Sequence, residues 1–166
     1  MTDAAESRIA ALETRLRYLE DLAEINQLVR RYGPAVDSGS LTEAPELWEQ
    51  DGVYDVSGIP RMEGREDIGA MLRNTGHQSA IHDGCGHILT SPHIEIDGDE
   101  ATGRSHSMMI RWNAEAGQFF VFRLSSTTWH FRRTGEGWRI ANRTNRLMNG
   151  EAAARDLLAG PAPRGP

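Results

Sequence analysis

At 166 residues, 39% of them apolar, the chain has the length of one domain and enough apolar side chains for a single sizeable core. Its 24 acidic side chains against 18 basic ones leave a formal charge of -6, which repels a phosphate backbone and argues against a nucleic-acid partner. Cys85 is the single cysteine, which excludes an internal disulfide and a multi-cysteine metal cage and fits a reducing compartment. The first seven residues are polar and acidic and no segment has the apolar length of a membrane span, so the expectation is a cytoplasmic protein without membrane contact.

Apolar residues at Ile9, Leu12, Leu16, Leu19, Leu22, Ile25, Val29, Tyr32 and Val36 recur mostly at three- and four-residue steps. That spacing predicts a long amphipathic helix over residues 7–36, capped by Ser7. Gly33-Pro34 should kink or break it near Asp37, because proline lacks the amide hydrogen and disfavours helix for its predecessor. Residues 9–19 extend beyond what covering one sheet requires, a hint of packing on another subunit.

A second short helix is expected over 41–50, with Leu47 and Trp48 as its apolar face, and a third over 65–73. Between them, Val53, Tyr54, Asp55 and Val56 alternate as in a short strand, followed by a turn at Gly58-Ile59-Pro60. Residues 76–86 read as a pocket-side loop carrying His77, His82, Asp83 and Cys85. Strands follow over 86–96, 100–112, 118–132 and 138–147. They are separated by the turn chemistry of Asp97-Gly98-Asp99 and Thr134-Gly135-Glu136-Gly137 and by a longer connection over 113–117. Three successive hairpins make an antiparallel meander, and helices first with strands last give the α+β class. One domain over 1–157 is expected, with the Pro- and Gly-rich 158–166 as a flexible C-terminal tail.

Neither GxGxxG nor GxxxxGK[ST] occurs, so no phosphate or dinucleotide cofactor is expected. His77, His82, His87 and His93 lack an HxH or HExxH pair, and no metal site is expected from them. His106, between Ser105 and Ser107, is a separate pocket candidate. Cys85, with no cysteine partner, reads as structural or incidental. Met108, Met109, Trp112, Phe119, Phe120, Phe122, Trp129 and Phe131 read mostly as sheet core, with some, Trp129 among them, lining a cavity for a hydrophobic or aromatic ligand. Arg104, Arg111, Arg123, Arg132 and Arg133 read as a solvated strand face.

RRYGPAVDSG at the end of the first helix, the WEQDGVYDVSG stretch, the strand GHILTSPHIEIDGDEATGRS and the hairpin RRTGEGWRIANRT belong together. With them the chain, over roughly residues 19–149, resembles the SnoaL-like polyketide cyclases and scytalone dehydratase-like proteins of the nuclear transport factor 2-like fold. The resemblance implies a cone-shaped, curved antiparallel sheet with a long N-terminal helix and two shorter helices enclosing a pocket. In the dehydrochlorinase and dehydratases of that group an aspartate after the first helix supports a histidine on the first long strand. The matching positions are Asp37 and His87. Tyr32 and Tyr54 match pocket-lining positions, and Arg143 matches a basic residue of the dehydrochlorinase. Val36 and Val56 stand where scytalone dehydratase has two water-holding tyrosines, whereas Tyr32 precedes Asp37 by five residues as in the bile-acid dehydratases.

Each of these residues also has a plainer reading. Asp37 can cap a turn with Ser38 and Gly39, His87 can be a satisfied core histidine, Arg143 a surface arginine, and the tyrosines packing. On the resemblance, His87 acts as general base, Asp37 orients it, and Arg143 or a tyrosine stabilises an anion. The implied activity is a cofactor-independent lyase, a dehydratase or related β-elimination enzyme, on a small hydrophobic, aromatic or alicyclic molecule. A ketosteroid-isomerase-like isomerase, a polyketide cyclase, a non-catalytic binding module and the small subunit of a ring-hydroxylating oxygenase are the alternatives. A homo-oligomer, trimer or dimer, is implied as well.

Overall fold

The computed structural model describes residues 3–160; residues 161–166, within the expected tail, lie outside the described residues. Helix α1 runs unbroken over Asp3–Asp37 with Pro34 inside it. The helix ends at Asp37, where the sequence predicts, with Pro34 in its last turn. Ala35 and Val36 bury beyond the proline, and the Ser38 amide closes the turn on the Pro34 carbonyl at 2.9 Å, which offsets the hydrogen bond that Pro34 cannot make.

The helix expected over 41–50 shrinks to α2, Glu43–Glu46, and Trp48 instead opens strand β1, Trp48–Val56. Tertiary pairing overrides local pattern here: the Ile140 amide donates to the Leu47 carbonyl at 2.9 Å and pulls the segment into the sheet. After β2, Met62–Glu63, comes α3, Gly64–Arg73, close to its expected span. The expected loop over 76–86 is largely helix α4, Thr75–His82, which starts where the Asn74 side chain accepts the Gly76 amide at 2.7 Å.

The strand expected over 86–96 is two strands, β3, Cys85–Leu89, and β4, His93–Asp97, interrupted at Pro92, and both pair with β5, Glu100–Asn113. Strands β6, Gln118–Thr134, and β7, Gly137–Leu147, complete the meander. Gly98 takes φ 62°, as the first central residue of the two-residue β4–β5 turn requires. Helix α5, Ala152–Ala159, was not expected and reaches two residues into the stretch read as tail.

The seven strands form one open, curved sheet in the order β2-β1-β7-β6-β5-β3, with β4 also on β5. All pairs are antiparallel except β1 with β7. Its core is built from Ile25 and Val29 of α1 against Trp48, Trp129, Phe131, Trp138 and Ile140. Of the aromatic residues read as sheet core, only Trp129 and Phe131 are buried. Trp112, Phe119, Phe120 and Phe122 lie exposed where the long β5–β6 hairpin outruns the helices that cover the rest. Among the described residues, no helix is long and apolar enough to cross a membrane.

Asp21 fastens α1 to the far end of the sheet. Its two oxygens accept Arg133 Nη1 and Nη2 at 2.6 Å each, and Oδ1 also accepts Trp138 Nε1 at 3.1 Å. The Arg133 hydrogen bonds hold the Asp21 carboxyl below the usual carboxylate range despite its burial. A carboxyl depressed on folding stabilises the fold above its unfolded pKa of about 3.9, and that contribution is lost as pH falls through the lower folded value. Asp21→Asn should therefore cost about 2 kcal/mol at pH 7 in urea unfolding, and the gap to the parent protein should narrow below about pH 3.

Candidate active site

The last turn of α1 meets β3 at Gly33, where an added Cβ would stand 2.5 Å from the His87 carbonyl oxygen. This close approach brings Asp37 over the strand. Asp37 Oδ2 accepts the His87 backbone amide at 2.7 Å, while Oδ1 lies 2.5 Å from His87 Nδ1. An ionised carboxylate only accepts, so the contact requires a proton on Nδ1 and leaves Nε2 of the neutral ring as a proton acceptor. The two side chains are about one-quarter and one-fifth exposed, reachable from the cavity without being flooded by solvent.

That cavity has a volume of about 330 Å³ and is walled mainly by apolar side chains, among them Val56, Met62, Met71, Leu89 and Met108. Its polar side chains are those of His87, His77, Arg143 and Asn145, the two tyrosines Tyr32 and Tyr54, and Ser107 and Arg123. Arg143 is 2% exposed, and among the described residues Nε and Nη1 have no hydrogen-bond partner. Instead of a carboxylate, three aromatic rings hold it: the guanidinium carbon lies 4.2 Å from the Tyr32 ring centre, 4.3 Å from Trp129 and 5.0 Å from Tyr54. A cation with no counter-ion among the described residues is thereby fixed in the wall of an apolar cavity, where any anion that forms would find it. Burial first, and the Tyr54 phenol next, push the Tyr32 hydroxyl well above the ordinary tyrosine range, so it stays a proton donor. Asn145 Nδ2 donates to the Tyr54 hydroxyl at 3.3 Å.

Asp37, His87, Arg143, Tyr32 and Tyr54 are thus brought to one place, and other candidates are not. His106 is absent from the cavity wall; alternation along β5 turns Ser107 inward and His106 toward a shallow surface groove with His93 and Arg104. Trp129 is fully buried, donates to Ser105 Oγ at 2.9 Å and acts only as a wall of the Arg143 cage. His82 points into solvent beside Asp83. Of the arginines read as a solvated face, Arg123 joins the cavity wall and donates to the Ser57 carbonyl at 2.6 Å, while Arg133 binds Asp21.

The sequence puts His77 in a pocket-side loop and assigns it no role. On α4 its ring lies 6.0 Å from that of His87, and its buried Nε2 has no partner among the described residues. Burial, and next the nearby His87, lower its pKa, keeping it neutral. The ligand atoms of Asp37, Cys85 and His87 lie within 4.8 Å of one another. Both Asp37 oxygens are engaged by His87 and burial pushes the Cys85 thiol up, so the group is a hydrogen-bonded Asp37–His87 pair beside a protonated thiol, poorly suited to hold a metal.

Residues 17–144 match the SnoaL-like domain. The chain belongs to this SnoaL-like family. An NTF2-like protein with a cystatin-like fold from Novosphingobium aromaticivorans is 44% identical, with a TM-score of 0.86 over 89% of this chain and 94% of that one. LinA is 21% identical, with a TM-score of 0.70 over 80% of this chain and 89% of its own. A Catenulispora acidiphila protein, solved in complex with S-DNPA, is 20% identical, with a TM-score of 0.67 over 79% and 96%. No functionally curated protein matches the sequence. The two more distant likenesses show a shared fold.

In this SnoaL-like chain Gly33 is the residue that lets helix and strand meet. Gly33→Ala should lower stability by about 1–3 kcal/mol and separate Asp37 from His87. The check is thermal unfolding together with the His87 Nδ1 proton resonance, which should lose its hydrogen-bonded shift.

Proposed function

We propose that this SnoaL-like protein is a cofactor-independent lyase that eliminates water, or a similar leaving group, from a small hydrophobic aromatic or alicyclic molecule. The observation that carries the reading is the carboxylate-held imidazole of His87, facing an apolar cavity that also contains a buried arginine with no counter-ion among the described residues.

In the proposed step, His87 Nε2 removes the proton from a carbon made acidic by an adjacent carbonyl. The C–H electron pair becomes the new C=C bond and the β-hydroxyl departs, recovering the proton from the imidazolium as water. Asp37 keeps the ring oriented and stabilises the imidazolium while it exists. The enolate oxygen that develops during proton removal is met by Arg143, with the protonated Tyr32 hydroxyl or the Tyr54 hydroxyl as further donors. Arg143 is preorganised by its aromatic cage, so little reorganisation is needed as the charge appears.

The test is exchange and elimination on a panel of aromatic and alicyclic β-hydroxy ketones, followed by deuterium incorporation from solvent and by product absorbance. The parent protein should exchange the acidic C–H and form the unsaturated ketone. His87→Gln should slow both by about 10²–10⁴-fold, and Arg143→Met should reduce elimination with the fold retained. Exchange in the parent no faster than in buffer across the panel would sink the reading.

A further inference from the structure

The amino-terminal half of α1 takes no part in the core. From Asp3 to Glu20 no residue is buried, and Asp21 is the first that is. Yet Ile9, Leu12, Leu16 and Leu19 stand 43%, 60%, 56% and 58% exposed in that stretch. They repeat in a three-four-three rhythm, which is the a and d spacing of a heptad with Ile9 and Leu16 at a and Leu12 and Leu19 at d. Ala5 and Ala23 continue the seam at its two ends.

The helix cannot bury this seam on its own domain. At 3.6 residues per turn the seam lies about 160° around the helix from the face that carries Ile25, Leu28, Val29, Tyr32 and Val36 into the core. Asp21, held by Arg133 of the sheet, occupies position f, the point of the heptad farthest from a and d. Thr14, also at f, and Tyr18 share a surface groove with Gly98 and Asp99, so the side opposite the seam is the one turned to the domain.

The flanking charges identify the occupant. Position g holds Arg8, Arg15 and Leu22, and position e holds Glu6, Glu13 and Glu20. In a parallel pair, g of one helix meets the following e of the other, which sets Arg8 against Glu13 and Arg15 against Glu20 on both sides of the seam. An antiparallel pair would instead oppose arginine to arginine and glutamate to glutamate. We propose that residues 5–23 form a parallel coiled coil with the same segment of a second copy of this chain, holding two domains side by side at the carboxyl end of the coil.

Full-length protein carrying Leu16→Cys should, on mild oxidation, give a dimer on a non-reducing gel, since identical a positions face one another only in a parallel, in-register pair. Parent protein, with Cys85 alone, is the control. By sedimentation the variant Glu13→Arg/Glu20→Arg should dissociate at protein concentrations about tenfold or more above the parent, as should Arg8→Glu/Arg15→Glu. Mixing the two should restore the pair. A parent that sediments as a monomer at tens of micromolar, or an assembly whose mass and cross-linking ignore both charge variants, would overturn the proposal. These readouts do not depend on any enzymatic activity.

Discussion

The site depends on how closely the end of α1 can approach β3. Gly33 lets the helix backbone come down on the His87 carbonyl, and Asp37, one turn later, reaches across to take both the amide and the ring of the same residue. Two contacts to one residue fix more than either alone: the amide bond locks the strand's position along the helix, and the ring bond sets the imidazole's rotation. Pro34 sits between these two points, and its restricted φ stiffens the turn that carries Asp37. The aspartate is thus positioned by the backbone on both sides of it, while the histidine is held by a ladder to β5 in which His87 pairs with Met109.

Arg143 is placed by register. Parallel pairing puts Tyr54 of β1 opposite it, and antiparallel pairing puts Trp129 of β6 opposite it on the other side. Tyr32 closes the cage from α1. Burying a guanidinium without a carboxylate costs several kcal/mol, of which three cation–π contacts return only part. A carboxylate partner would be the cheaper way to bury this side chain, and it would also neutralise the charge that an anionic intermediate needs. The aromatic cage preserves that charge, and in the proposed elimination this is its use.

Much of this was legible in the sequence, for reasons that differ from residue to residue. The long helix showed in its three-four spacing, and the meander showed in turn residues such as Asp97-Gly98, because both signals are local. Asp37 and His87, fifty positions apart, could be paired only through resemblance, since nothing in either segment names the other. The errors have two sources: tertiary partners the local pattern does not contain, and local signals too short to settle an element or a facing. Trp48 left its expected helix because β7 captured the segment. His77 was missed as a wall residue because α4 is short and opens on an asparagine cap rather than on an apolar repeat. His106 and Ser107 differ by one position on a strand, and a one-residue uncertainty in facing exchanges cavity for surface.

Helix α1 therefore serves the core on one face and, in the proposed pairing, a second copy on the other, and the physics of each explains why it can be so long. Its second half is bound along its length to the sheet by Ile25, Leu28, Val29, Tyr32 and Val36, and needs no support from its own propensity. Its first half has no such support, yet its leucines are arranged as a stripe and its charges as complementary flanks. A helix end that served only to begin the domain would be expected to carry polar residues on all sides, because exposed leucines there favour association and aggregation. The two Asp21–Arg133 hydrogen bonds mark the boundary: they hold the helix at the point where it leaves the sheet and fix the direction in which the seam is presented. A partner helix laid along that seam would bear on the same rod that ends in Asp37, so pairing and the positioning of His87 would share one rigid element without sharing a single side chain.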